Sequence, residues 1–146
     1  MNFKESRSPC DICHYAKQRK LSFPHSLTHT SNIFDLLHAD IWGPYVTPSI
    51  SGHKYFLTLV DDFSRFTWII LMKTKSEARQ HLTNFISFIE TQFNRKLKCL
   101  RSDNGPEFLM SDFYQAKGIV HHRSCVETPQ QNGIVERKHQ HILNVA

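Results

Sequence analysis

The chain has 146 residues, of which 40% are hydrophobic, enough for one domain with a buried core and too many for a disordered chain. The formal net charge of +5 and the pI of about 9.1 favour an anionic partner, nucleic acid above all. The longest apolar run, 66–72, is too short to span a membrane, and the amino terminus lacks the apolar segment of a secretory signal. We therefore expect a cytosolic or nuclear protein without a membrane partner.

The first 34 residues are polar and basic, and we interpret them as a cysteine-containing knuckle followed by a linker. Cys10 and Cys13 have the spacing of half a zinc site. His25 and His29 would complete a Cys₂His₂ pattern, but a zinc finger places its histidines on a helix. The proline directly before His25 disfavours that helix, so we rank the finger lower.

Three strands are predicted in the next segment. The first is LLHADIW, which begins at Leu36 and is followed by a Gly-Pro turn signal. The second and third, 54–60 and 66–72, are rich in β-branched and aromatic residues. The sequence DDFSR between them suits the turn of a β-hairpin, and its two aspartates are typical turn residues.

Helices and strands are predicted to alternate after the hairpin. Thr74 and Glu77 have the spacing of a capping box and open a helix with one apolar face. The last helix opens at Thr128, a plausible N-cap followed by proline. The element order β-β-β-α-β-α-β-α predicts an α/β fold, with a mixed sheet flanked by helices. The elements between these two helices are a strand at 97–101, a helix at 111–117 and a strand at 119–121.

Three carboxylates fall on three different predicted elements. Asp40 lies inside the first strand, where a carboxylate is costly unless it has a partner or a metal. Asp103 follows the strand at 97–101, and Glu136 lies in the last helix. If they converge at one edge of the sheet, they offer the oxygen ligands that Mg²⁺ prefers. Alternatively, the aspartates are ordinary turn residues, and Glu107 and Glu127 are rival acids.

Four motifs, HADIWGP, VDDFSRFTWI, RSDNGPEF and TPQQNGIVERKH, resemble the integrase catalytic core of copia-type LTR retrotransposon polyproteins, a retroviral-type D,D,E family. The resemblance runs from about residue 10 to the end of the chain. It implies an RNase H-like fold in which Asp40, Asp103 and Glu136 form the catalytic triad and bind Mg²⁺ or Mn²⁺. The 32 residues between Asp103 and Glu136 are slightly fewer than is usual in the family, which implies a shortened loop after the 111–117 helix.

The resemblance also implies a function in DNA integration, through metal-dependent 3′-end processing and strand transfer. The implied partners are element ends and target DNA, and the full-length protein is expected to be a homo-oligomer. It would act in the nucleus after a stage in a cytoplasmic particle. An ordinary solvated face is the alternative interpretation of the basic residues in the last helix. The residues expected to contact DNA are Arg123, Gln131, Asn132, Arg137 and Lys138.

By the same resemblance the chain has two parts. Residues 1–34 are the remnant of an N-terminal zinc module and a basic linker, and residues 35–146 are a catalytic core truncated in its last helix. Cys10 and Cys13 would form a partial Zn²⁺ site that is filled only if the missing N-terminal ligands are present. Because the last helix would lack part of its docking surface, we expect impaired cleavage by this chain. The alternatives are a non-catalytic nucleic-acid-binding remnant of a decayed element and a ribonuclease H of the same fold.

Overall fold

A computed structural model describes residues 30–124 and 133–145 of the chain. Cys10, Cys13 and the predicted cap at Thr128 lie outside these ranges. In chain order, the strands are β1 (Leu36–Trp42), β2 (Tyr55–Asp61), β3 (Thr67–Met72), β4 (Cys99–Ser102) and β5 (Val120–Arg123). The α-helices are α1 (Ala78–Phe93), α2 (Ser111–Lys117) and α3 (Gly133–Val145), and short 3₁₀ helices cover Lys75–Glu77 and Pro106–Phe108.

The five strands form one mixed sheet in the order β3-β2-β1-β4-β5. Strand β2 runs antiparallel to β1 and β3, while β4 runs parallel to β1 and β5. The predicted α/β fold and element order are confirmed, and most strand ends differ from the prediction by one or two residues. Only Gly118 and Ile119 separate α2 from β5, in the connection where the sequence suggested a shortened loop.

Helices cover both faces of the sheet. Phe85 of α1 packs edge-on against Trp68 of β3, with ring centroids 4.9 Å apart, over the main apolar core. Trp68 of β3 is paired with Leu59 of β2. His139 of α3 instead contacts Thr58, the residue adjacent to Leu59 in β2. Because successive side chains of a strand point to opposite faces, α1 and α3 lie on opposite sides of the sheet. Within the described ranges, no helix has the length and apolar character needed to cross a membrane.

The capping box predicted at the start of α1 is present. The backbone N–H of Thr74 donates to Oε1 of Glu77 at 2.9 Å, which satisfies a donor that the helix leaves free. The chain makes one 3₁₀ turn before α1 begins, and α1 ends at Asn94, whose φ of 49° stops the helix. The predicted apolar face is buried as far as Ile89.

The two aspartates of the β2–β3 turn have a larger structural role than a turn requires. Asp61 accepts hydrogen bonds from Ser64, as expected for a turn, and its Oδ1 also accepts the Phe34 N–H at 2.7 Å. Asp62 accepts a hydrogen bond from Nε2 of buried His38 at 2.9 Å and another from Thr30. The buried Phe34 packs in the core although the predicted domain boundary falls just after it.

We predict that Asp61→Ala lowers the free energy of unfolding by about 3 kcal/mol, because the buried Phe34 N–H loses its charged acceptor. The matched control is Asp112→Ala, which removes an exposed carboxylate from the first turn of α2 and should cost less than about 1 kcal/mol. Chemical denaturation measures both values. Equal losses in the two variants would contradict a structural role for Asp61.

Candidate active site

Asp40 lies near the carboxyl end of β1 and faces Thr58 in the register with β2. Its side chain is only 17% exposed. Oδ1 accepts the backbone N–H of Ile41 at 2.9 Å, and Oδ2 lies 3.6 Å from Nδ1 of His139. Each carboxylate oxygen therefore has a neighbour in the protein, and these contacts orient the group.

The strand register places Asp103 beside Asp40. The parallel pairing of β1 with β4 sets His38 opposite Arg101, and each aspartate lies two residues further along its own strand. Two steps along a strand return to the same face, so both positions lie at one edge of the sheet and on the face covered by α3. The predicted convergence of these two acids at a strand-end edge thus follows from the topology.

The loop after β4 is held by local hydrogen bonds. Oδ1 of Asp103 accepts the Gly105 N–H at 3.0 Å, and the Asn104 side chain donates to the Ser124 carbonyl at 3.0 Å. A Cβ on Gly105 would approach the carboxyl group of Glu107 at 2.9 Å and Oδ1 of Asp103 at 3.0 Å. A larger residue here would displace these two side chains, and Glu107, a rival acid in the sequence, lies on the same side of Gly105 as Asp103.

Glu136 lies on α3, one turn before His139, and its side chain is exposed. Because His139 approaches Asp40, the preceding turn of α3 brings Glu136 to the same region. Burial raises the pKa of Asp40 to about 6, with further contributions from the negative charges of Asp103 and Glu136. The three predicted acids therefore repel one another across one site.

The donor set fits a divalent cation. Carboxylate oxygens are the ligands that Mg²⁺ prefers, and a cation would offset the burial and the negative charge that raise the pKa of Asp40. In residues 30–124 and 133–145, no three His, Cys, Asp or Glu side chains are preassembled as a metal site. Asp40 and Asp103 are thus the candidate ligands at this sheet edge, and Glu136 is exposed on α3.

The predicted DNA-binding residues are only partly described. Arg123 is exposed and pairs with Ser102, the residue before Asp103, at the end of β5. Arg137 is exposed and Lys138 half-buried on α3. The residues outside the described ranges are Gln131, Asn132 and the rival acid Glu127.

Sequence reasoning missed three residues around Asp40. Lys75, which lies between the two residues of the capping box, is close enough for its charge to oppose the rise in the pKa of Asp40. Thr58 and His139 contact each other and flank Asp40. The only available signal was that His139 follows Glu136 by three residues and so shares its helix face.

Comparison with known proteins is consistent with the fold and the motifs. The chain is 41% identical over 138 residues to the "Retrovirus-related Pol polyprotein from transposon TNT 1-94" of Nicotiana tabacum. It is 34% identical over 137 residues to the corresponding polyprotein from transposon RE2 of Arabidopsis thaliana. These alignments cover 92% and 93% of this chain but only 10% and 9% of the polyproteins, so the chain spans about a tenth of their length.

Two solved structures share the fold. A chain of the simian T-cell lymphotropic virus intasome in complex with PP2A regulatory subunit B56 gamma has a TM-score of 0.56 and 23% identity, covering 72% of this chain and 37% of that chain. The catalytic core domain of BIV integrase has a TM-score of 0.52 and 22% identity, covering 73% and 64%. The predicted RNase H-like fold is confirmed. Residues 32–129, more than half of the chain and including Asp40 and Asp103, match the Integrase core domain family, and the chain belongs to that family.

Proposed function

We propose that this chain is the catalytic core of a retrotransposon integrase, which trims the 3′ ends of the element's DNA and joins them to target DNA. The observation that carries the proposal is the β1–β4 register, which sets Asp40 beside Asp103 at one sheet edge. Helix α3 adds Glu136 on the same face. Family membership supports the same reaction class, polynucleotidyl transfer.

In this proposal Asp40 and Asp103 hold Mg²⁺ or Mn²⁺, and Glu136 completes the ligand set. The bound cation supplies charge neutralisation at the phosphate and activation of a water or a DNA 3′-hydroxyl. The residues of the chain provide position and charge, and no covalent intermediate is required. The N–H groups of Ile41 and Gly105 fix the two aspartates, so their oxygens are oriented before DNA arrives.

DNA is the proposed partner because the net charge is +5 and basic side chains surround the acids. Arg123 lies at the same sheet edge, and Arg137 is exposed in the residue after Glu136. Lys75 adds a positive charge near Asp40. These groups suit phosphate contacts, which position a duplex without reading its sequence.

The second candidate is a nucleic-acid-binding remnant without catalysis. The acids are not preassembled as a three-ligand site in the described residues, which favours this candidate. It predicts DNA binding with no joining at any metal concentration. Ribonuclease H activity, the third alternative, predicts cleavage of RNA–DNA hybrids and no joining of DNA.

The test of activity compares DNA end trimming, DNA joining and hybrid cleavage by the full chain in Mg²⁺ and in Mn²⁺. We expect slow DNA joining by this chain, and we expect Asp103→Asn and Glu136→Gln each to reduce its rate about 100-fold or more. Glu107→Gln is the discriminating variant, because Glu107 neighbours Asp103 without being the proposed third acid. If Glu107→Gln abolishes joining and Glu136→Gln does not, the third acid is Glu107.

The burial of Asp40 and the nearby negative charges of Asp103 and Glu136 predict an unusual dependence of stability on pH. The folded pKa of Asp40 is about 6, above its ordinary value of 3.8, so without metal the ionised carboxylate destabilises the fold as pH rises through this window. Asp40→Asn should therefore raise the free energy of unfolding at pH 8 by up to about 3 kcal/mol, and the gain should shrink toward pH 4. Urea titrations at the two pH values measure it. A variant that is less stable than the parent chain at both pH values would contradict the repulsion.

Binding of DNA is predicted to depend strongly on salt. If about five phosphates are contacted, log Kd should change with log salt concentration with a slope of about 4 to 5. Arg137→Ala should reduce that slope by about 1 and weaken binding equally on unrelated sequences. The control Lys117→Ala removes a cation already paired with Glu90. An affinity that does not change with salt concentration would exclude this mode of binding.

A further inference from the structure

The side chain of His139 lies where α3 meets β1 and β2. It is 5% exposed, and the edge of its ring packs against Phe56, with centroids 5.4 Å apart and planes at 84°. Its Nε2 is 3.0 Å from the hydroxyl oxygen of buried Thr58, and its Nδ1 is 3.6 Å from Oδ2 of Asp40. One imidazole thus contacts the residue opposite Asp40 and faces Asp40 itself.

We propose that His139 is a positioning residue, which carries its proton on Nδ1, holds the carboxylate of Asp40 in its metal-binding orientation, and docks the turn of α3 that bears Glu136. The part concerning metal rests on the function proposed above. The part concerning the tautomer and the docking of α3 rests only on the contacts of His139 with Thr58 and Asp40.

The tautomer follows from the two neighbours of the ring. A neutral imidazole carries a single N–H, and here one ring nitrogen faces a carboxylate oxygen while the other faces a hydroxyl. If that hydrogen were on Nε2, the lone pair of Nδ1 would face a carboxylate oxygen of Asp40, which is repulsive. With the hydrogen on Nδ1, the N–H points toward Asp40 and Nε2 accepts the hydroxyl hydrogen of Thr58. The second arrangement satisfies both contacts.

The orientation of Asp40 is therefore set from two sides. The Ile41 N–H fixes Oδ1, and the ring of His139 limits the movement of Oδ2. Groups that orient a metal ligand in this way typically contribute 10- to 100-fold in metal affinity. Because His139 and Glu136 are one turn apart, the same contact sets the position of two of the proposed ligands.

The experiment measures the Mn²⁺ dissociation constant by calorimetry for a set of matched variants. His139→Leu removes both contacts and should weaken Mn²⁺ binding about 10-fold or more. His139→Asn places an amide N–H at the position of Nδ1 and should restore most of the affinity. His141→Leu, on the exposed face of the same helix, is the control and should leave the affinity unchanged. Equal affinities for the parent chain and His139→Leu would overturn the positioning role.

A spectroscopic readout tests the tautomer without metal. The ¹⁵N chemical shifts of His139 should report hydrogen on Nδ1, and a signal with hydrogen on Nε2 would overturn the assignment. Thr58→Val keeps the shape of the side chain but removes the hydroxyl, and it should shift the Nε2 resonance and lower the melting temperature. Thr58→Ser should preserve both. These two variants also keep the test decisive if His139→Leu does not fold.

The two proposals fail in different ways. If Asp103→Asn leaves Mn²⁺ binding intact, the proposed metal site is wrong, while the NMR signal and the Thr58 variants still decide the docking role of His139. If Asp103→Asn abolishes Mn²⁺ binding but His139→Leu does not weaken it, the metal site stands and the positioning role of His139 is refuted.

Discussion

The parallel pairing of β1 with β4 is the constraint on which the rest of the structure depends. It places Asp40 and Asp103 at one edge and on one face, where burial and like charge act against the ionised form of Asp40. Two apolar side chains in place of Asp40 and Asp103 would make the fold more stable. Three neighbouring groups orient the carboxylates and so limit this loss of stability. They are the Ile41 N–H, the Gly105 N–H and the ring of His139. Shifted pKa values of this kind cluster at functional sites.

Local patterns were sufficient to predict most of the fold. The segment LLHADIW before a Gly-Pro turn signal located β1, and the capping box located the start of α1. Each of these signals depends on residues within a few positions of one another. The 3₁₀ helix at Pro106–Phe108 was not predicted, because its three residues carry no period. Its effect on the site, the close approach of Glu107 to Asp103, was also missed.

The candidate site was predictable only in part. The positions of Asp40 and Asp103 at strand ends pointed to their convergence, because parallel strands share an edge. The contact between Thr58 and His139 joins residues 81 positions apart, and no local pattern in either segment encodes it. Asp62 was similarly interpreted as a turn residue, although it also binds His38 of β1 and Thr30. Long-range polar contacts of this kind depend on the assembled sheet.

The sheet topology also has a consequence for the order of assembly. Strands β1, β2 and β3 are joined by sequential antiparallel pairings, which are local along the chain. Strand β4 pairs with β1 only after α1 has intervened, so this contact closes a much longer loop and is expected to form later. During synthesis, the three-strand meander can therefore exist before the second aspartate has left the ribosome. The face that carries both Asp40 and Asp103 is therefore completed in a late step, when β4 docks.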